Sequence, residues 1–429
     1  MPLRYKIILI VAAVLFEISF LLLYVLKDKP IINYTIIYLA SSCLFLLFVF
    51  LIWKINLPAK YFTALLIFGL IIRLSFIHVK PIGSDDIYRY IWDGKVQTAG
   101  INPYLYLPND LKLQNLHSDI IPKLVNYPDM KTIYFPLSQW LFFAGYTISH
   151  ESFWGYKLLL LLFELLTIYA LFLITKKLNI PVKNILLYVL CPLPIIQFAI
   201  DSHLDGFGLP LLLFSLYFYL GNKKTISLFF LGLSFSIKPV GLVLIPIMFF
   251  IDKSWKEKIK IVLIPLIAFA IQFLPYIFTS NPFEMLFIYA RNWTFNGFVF
   301  NIVNYFINNN QTARIVCGFM LFIFLLPIFF NKMDLIKKFY YSILLLMIFS
   351  PVVHPWYIAW LVIFLPITFQ LSGIIYAALS SLTVFTVLNY QLNAVWEEYP
   401  LVLILEYLPL AVILYYELKK NKYFNFVRS

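Results

Sequence analysis

Apolar runs long enough to cross a bilayer recur along nearly the whole chain, and that repetition leaves room for one kind of architecture. A transmembrane helix needs about 20 mostly apolar residues. Windows of this kind lie near 5–26, 34–54, 60–78, 136–149, 155–175, 184–200, 204–220, 226–251, 259–279, 312–330, 337–353, 355–371, 373–390 and 400–418. Some are ambiguous, so about 12 to 14 spans are expected. Pro136 to Ser149 is short enough to be re-entrant, and Ile226 to Ile251 is interrupted at Lys238-Pro239, where proline removes a helix hydrogen bond. Of the 429 residues, 62% are hydrophobic and 12% charged, against roughly 45–50% and about 25% in soluble domains. The chain reads as an all-α polytopic membrane protein with a single transmembrane domain over residues 1–429. It shows no internal repeats, low-complexity tracts or soluble domains. The first run exceeds a typical signal-peptide core and lacks a small-residue cleavage site, so it is expected to be retained as a span.

The formal charge of +13 does not indicate nucleic acid. The lysines form short clusters between apolar runs (Lys176 and Lys177, Lys223 and Lys224, Lys253 to Lys260, Lys337 and Lys338, Lys419 to Lys422), as a positive-inside bias requires. A phosphodiester groove would gather its cations on one soluble face. Arg4, Lys6, Lys54, Lys60 and the basic stretch Glu417 to Ser429 are therefore expected on the cytoplasmic side. Three spans then put the loop Val79 to Phe135 outside, with six acidic and six basic residues. Charge alone does not settle the topology from Pro136 to Lys183. Cys43, Cys191 and Cys317 sit inside apolar segments, which suits buried thiols and supplies no disulfide or metal frame.

The polar interval opens with Ile82 to Tyr104, IGSDDIYRYIWDGKVQTAGINPY. Its pattern predicts a juxtamembrane helix over Asp85 to Thr98, stopped by Gly100 and Pro103. Asp86, Arg89, Tyr90 and Asp93 then fall at i, i+3, i+4 and i+7, on one face. Two acids alone would suit a helix cap, but a cap does not explain Arg89 and Asp93 repeating on that face.

Further polar clusters stand at span boundaries: Tyr134 to Gln139, Asp201 to Gly206, Lys238-Pro239, Arg291 to Gly297 and His354 to Tyr357. Polar groups at membrane depth usually face a cavity or a partner. Plainer readings compete with function for several of them. An interfacial aromatic belt accounts equally for Trp92, Tyr104, Trp293 and Trp356. A helix-capping or interfacial position accounts for His354, and N-capping rivals a site role for Asp201 and Asp205. Glu17, Glu164 and Glu406 suit interhelical hydrogen bonds, and Arg73 suits snorkelling to the outer interface.

Taken in order, SDDIYRYIWDG (Ser84 to Gly94) with AGINPY (Ala99 to Tyr104), YFPLSQ (Tyr134 to Gln139), SHLDG (Ser202 to Gly206), Lys238-Pro239, RNWTFNG (Arg291 to Gly297) and HPWY (His354 to Tyr357) resemble the GT-C superfamily of polytopic, lipid-phosphosugar-dependent glycosyltransferases. The resemblance is nearest to bacterial α-mannosyltransferase-like members and runs from about residue 60 to 370. Phe135 departs from it, standing where the family usually has a second proline.

The resemblance implies a catalytic acid in the first outer loop that deprotonates the acceptor hydroxyl. Asp85 or Asp86 fills that position; Asp85 is favoured as base, with Asp86 tied to Arg89. It implies a polyprenyl-phosphate-sugar donor, the sugar being mannose, and a glycan or glycolipid acceptor, usually with inversion. Lys238, Arg291 and His354, with Arg89 behind them, are expected at the leaving phosphate, where charge develops. Tyr90, Trp92, Asp93, His203, Asp205, Trp293, Asn296, Trp356 and Tyr357 complete the expected substrate-binding set. No metal or other cofactor is expected, and the site is expected on the outer face of the cytoplasmic membrane. The rival from another class is a transporter or flippase of lipid-linked sugars, which should show repeat symmetry. A second rival is a polymerase or ligase acting on lipid-linked oligosaccharides.

Overall fold

A computed structural model describes residues 1–26 and 29–420. The end of the basic C-terminal stretch, Lys422 and Arg428 included, lies outside the described residues. The chain divides into two compact units. One comprises Met1–Phe76, Ile168–Gln197 and Thr294–Ser429; the other comprises Ile77–Thr167 and Phe198–Trp293.

Among the described residues, six helical segments are individually long and apolar enough to cross a membrane. They are α1 (Leu3–Val25), α2 (Pro30–Lys54), Trp154–Lys177, Asn310–Phe330, Leu371–Asn393 and Pro400–Lys420. A seventh span forms if Val182–Val189 and Pro192–Ile200, bent by 47°, are taken together. Other apolar windows fold as shorter helices, among them Asp205–Leu220, Lys224–Phe235, Pro239–Ile251, Phe298–Ile307 and Pro355–Thr368. Proline accounts for much of the difference from the 12 to 14 apolar windows. It removes a backbone donor and clashes with the preceding turn, so windows holding Pro192 or Pro239 break into pieces. The break at Lys238-Pro239 falls where the sequence places it, with a helix ending at Phe235 and a 3₁₀ turn starting at Pro239.

In the first unit, α1 and α2 meet through aromatic rings. Phe16 stands edge-on to Phe48 with centroids 5.6 Å apart, and both are fully buried. Helix α3 (Ala59–Ser75) corrects one expectation. Arg73 does not snorkel; it is 1% exposed, and its Nη1 donates at 2.9 Å to the carbonyls of Gly69 and Val189. Val189 ends the short helix Leu186–Val189, and terminal carbonyls lack intrahelical donors. A guanidinium inside the protein satisfies that need better than one at the membrane surface. Of the cysteines, Cys191 and Cys317 are buried as expected, whereas Cys43 lies exposed on α2.

In the second unit, the predicted polar helix forms as α4 (Asp86–Thr98) and lies against α5 (Pro136–Ser149). It stops where Gly100 adopts a φ of +74°, open to glycine at little cost. The approach of the two helices is set at Gly94. A Cβ there would stand 2.4 Å from the Phe142 carbonyl oxygen of α5, a backbone atom that cannot swing away. This explains the glycine in the WDG sequence. Gly94→Ala is expected to cost about 1–3 kcal/mol through overpacking, read as a lowered thermal midpoint in detergent. An unchanged midpoint would show that α4 and α5 separate freely.

Candidate active site

The adjacent acids sit at the start of α4, in the second unit. Ser84 Oγ accepts from the Asp86 backbone N–H at 3.2 Å, an Asx-like turn that fixes the entry to the helix. Asp85 is exposed, whereas Asp86 is half-buried. Asp86 accepts from Tyr90 Oη at 3.3 Å and from Asn126 Nδ2 at 2.7 Å, and its Oδ2 lies 3.4 Å from His203 Nδ1. Asp85 accepts from the same Asn126 nitrogen at 3.1 Å. Crowding by surrounding protein strips water from the ionised Asp85 carboxyl and raises its pKa above the ordinary value; the neighbouring Asp86 charge raises it further. Asn126 and His203 pull the other way.

Arg89 is not tied to Asp86. Its Nε donates to Asp93 at 3.0 Å and its Nη1 to the Met130 carbonyl at 2.9 Å. An i,i+4 pairing along the helix thus takes the guanidinium to the second acid of the face. Asp93 also accepts from Gln139 Nε2 at 2.9 Å, and Gln97 donates to the Gln139 carbonyl at 2.8 Å. Arg89 and Asp93 are buried at 5% and 2% exposure, so this network braces α4 on α5. Tyr90 stacks on Phe142 with centroids 4.6 Å apart, and Trp92 stands edge-on to His117. Both rings lie in the packed interior.

The turn Asp201 to Leu204 comes to the acids from another element. Ser202 has a φ of +68°, a left-handed conformation that a non-glycine residue adopts only under constraint. On one side of this corner, Asp201 Oδ1 accepts from the backbone N–H groups of Ile82 at 3.2 Å and Gly83 at 2.7 Å. On the other, His203 meets Asp86. Lys157 clamps the same region, its Nζ donating to the carbonyls of Val79, Ala199 and Ile200 at 2.6, 3.1 and 2.9 Å. Asp205 opens the helix Asp205–Leu220, whose N-cap position is held by Leu204. The Asp205 carboxylate takes Lys238 Nζ at 2.8 and 3.0 Å. Lys238 is therefore not a lone ammonium but half of an ion pair whose acid is 1% exposed and whose base is 19% exposed. The Asp86 charge acts on Lys238 as well.

Arg291 lies exposed in the last turn of the helix Glu284–Asn292. Trp293 stacks on Tyr289 and meets Tyr127 edge-on, with centroids 5.0 Å apart in the latter pair. The remaining expected residues belong to the first unit. His354 is sandwiched between Phe295 and Trp356, with centroids 4.4 and 4.3 Å away, and Tyr357 stands edge-on to it. Asn296 is locked at a φ of +54°. Its N–H donates to Glu398 at 2.7 Å, its side chain to Glu406 at 3.0 Å, and its carbonyl accepts from Tyr407 at 2.8 Å. Glu406 is expected to bond between helices; the bond it makes here runs instead from its helix to Asn296, in the link between two others. Among the described residues no group of three or more His, Cys, Asp or Glu side chains is arranged to hold a metal.

Sequence reasoning passed over Asn126 and Lys157. A loop asparagine carries no periodic signal, and Lys157, three residues into an apolar span, reads as an interfacial lysine. No curated protein and no solved structure matches the chain. Residues 14–252, more than half its length, match the profile of the alpha-(1->6)-mannopyranosyltransferase N-terminal domain. That stretch contains the acid pair, the Ser202 corner and the Lys238 ion pair. The chain therefore belongs to the alpha-(1->6)-mannopyranosyltransferase family, a family of GT-C mannosyltransferases.

Proposed function

We propose that the protein transfers mannose from a polyprenyl-phosphate donor to a hydroxyl of a glycan or glycolipid, forming an α-1,6 linkage with inversion. The observation that carries this reading is the pair of unlike carboxylates at the start of α4. Asp85 keeps an exposed edge while the protein around it raises its proton affinity, whereas Asp86 is held by three partners. A base works best when its pKa approaches the operating pH, which suits Asp85. The acceptor oxygen bonds to the anomeric carbon as the bond from that carbon to the phosphate oxygen breaks. The hydroxyl proton passes to Asp85, and the lipid leaves as its phosphate monoester. Lys238, held in place by Asp205, is the cation assigned to the phosphate as its charge develops; Arg291, in the same unit, is a further candidate. The reaction is assigned to the outer face of the cytoplasmic membrane, because a charge-balanced 79–135 loop bears the acids and the basic clusters favour the cytoplasm.

Protein in nanodiscs, given labelled polyprenyl-phosphate-mannose or a nucleotide-mannose with a lipid-glycan acceptor extract, is expected to use the lipid donor alone. The product should be cleaved by an α-1,6-specific mannosidase. Transfer from the nucleotide sugar would overturn the donor assignment, and resistance to the mannosidase would overturn the linkage.

A further inference from the structure

We infer that Asn126 is a positioning residue for the acid pair, its single amide nitrogen holding the Asp85 and Asp86 carboxylates side by side and setting which of them stays ionised. The inference rests on the reading of Asp85 as base and names the group that prepares it. A side-chain amide nitrogen carries two N–H donors. Here one faces Asp85 Oδ1 at 3.1 Å and the other Asp86 Oδ1 at 2.7 Å. Ionised carboxylates only accept, so the amide has to turn its nitrogen towards them. Two adjacent like charges otherwise resist ionising together, and a shared donor relieves that repulsion without adding a positive charge.

The arrangement is unequal. Asp86 takes the shorter bond and also meets Tyr90 and His203, so its orientation is fixed. Asp85 takes the longer bond on an exposed side chain, and is left readier to accept a proton.

The loop holding Asn126 is built for this placement. Tyr127 has a φ of +49° and its ring packs edge-on against Trp293. The Met130 N–H returns to the Tyr127 carbonyl at 3.0 Å, and Arg89 holds the Met130 carbonyl. The motif arginine thus acts at the acids through the loop that carries Asn126. The charged and titratable groups around Asp85 are Asp86 and Tyr90 from α4, His203 from the Ser202 corner, and the Lys238–Asp205 pair behind Asp86. Asn126 itself does not titrate, and its replacement leaves all these groups in place.

The test uses full-length protein with isotope-labelled aspartate, followed by infrared titration of the protonated carboxyl band. Asp85→Asn identifies the Asp85 contribution by deleting it. Asn126→Ala is expected to move the Asp85 titration about one unit to higher pH, since a hydrogen bond to the ionised form is lost. Asn126→Asp, of the same shape, should move it further by placing a third acid beside the pair. The acidic limb of the transfer rate should move with the titration, lowering turnover about tenfold on that limb. A titration unmoved in both variants would overturn the inference, even if thermal stability fell. A titration that moves while the rate profile stays fixed supports the bridging role and removes Asp85 as the base, so the two ideas fail separately.

Discussion

Asp85→Asn is expected to lower mannosyl transfer by about 10²–10⁴-fold, the usual contribution of a general base, while thermal stability and donor binding stay near those of the parent. The substitution removes charge and proton affinity but keeps volume, and Asp85 braces no helix. Its hydrogen-bond partner, Asn126, retains Asp86. The pH profile offers a second reading. Crowding and the Asp86 charge raise the Asp85 pKa, so the acidic limb should lie above the ordinary carboxylate range near 4, with transfer falling as pH drops through it. Asp86→Asn should also lower turnover, by disturbing the pair and the His203 contact. Turnover retained in Asp85→Asn and lost in Asp86→Asn would exchange the two roles.

The second large effect is expected at Lys238. Lys238→Met removes the ammonium from beside the Asp205 carboxylate, which is 1% exposed, and removing one partner of a buried pair costs about 3–5 kcal/mol. The double variant, Lys238→Met with Asp205→Asn, should recover much of that stability because both members of the ion pair are neutralised together. It should not recover affinity for polyprenyl phosphate, which needs the cation. Single and double variants with equal melting temperatures would show that the pair carries little coupling. Full donor affinity in the double variant would remove Lys238 from the phosphate site.

Much of α4 was legible because its cues are local. Helical spacing from Asp86, the stop at Gly100 and the proline break at 239 each depend on neighbours within a few residues. Pairings across long separations were not. Arg73 meets a carbonyl 116 residues away, and Lys157 meets one 78 residues away. From sequence both resemble lysine or arginine at a membrane surface. The same limit hid the choice of Arg89 between two acids on one helical face, which depends on Gln139 and Met130 holding the far side. Tyr90 and Trp92 show another limit, since an aromatic ring in a polar helix suits a packed interior and a sugar contact equally. The choice between a transferase and a transporter was decided by the family match.

The hairpin leading to Lys238 has a consequence for the lipid around it. Its helices contain 16 and 12 residues, or roughly 24 and 18 Å at 1.5 Å per residue. The hydrocarbon core of a bilayer is about 30 Å thick. A bilayer meeting this hairpin must thin locally, or leave the Asp205 and Lys238 end recessed below the headgroup plane. In the first case the acyl chains around the ammonium are deformed; in the second the ammonium lies below the headgroups. A lipid-linked donor of the kind proposed would enter a patch of membrane whose thickness is set by the protein.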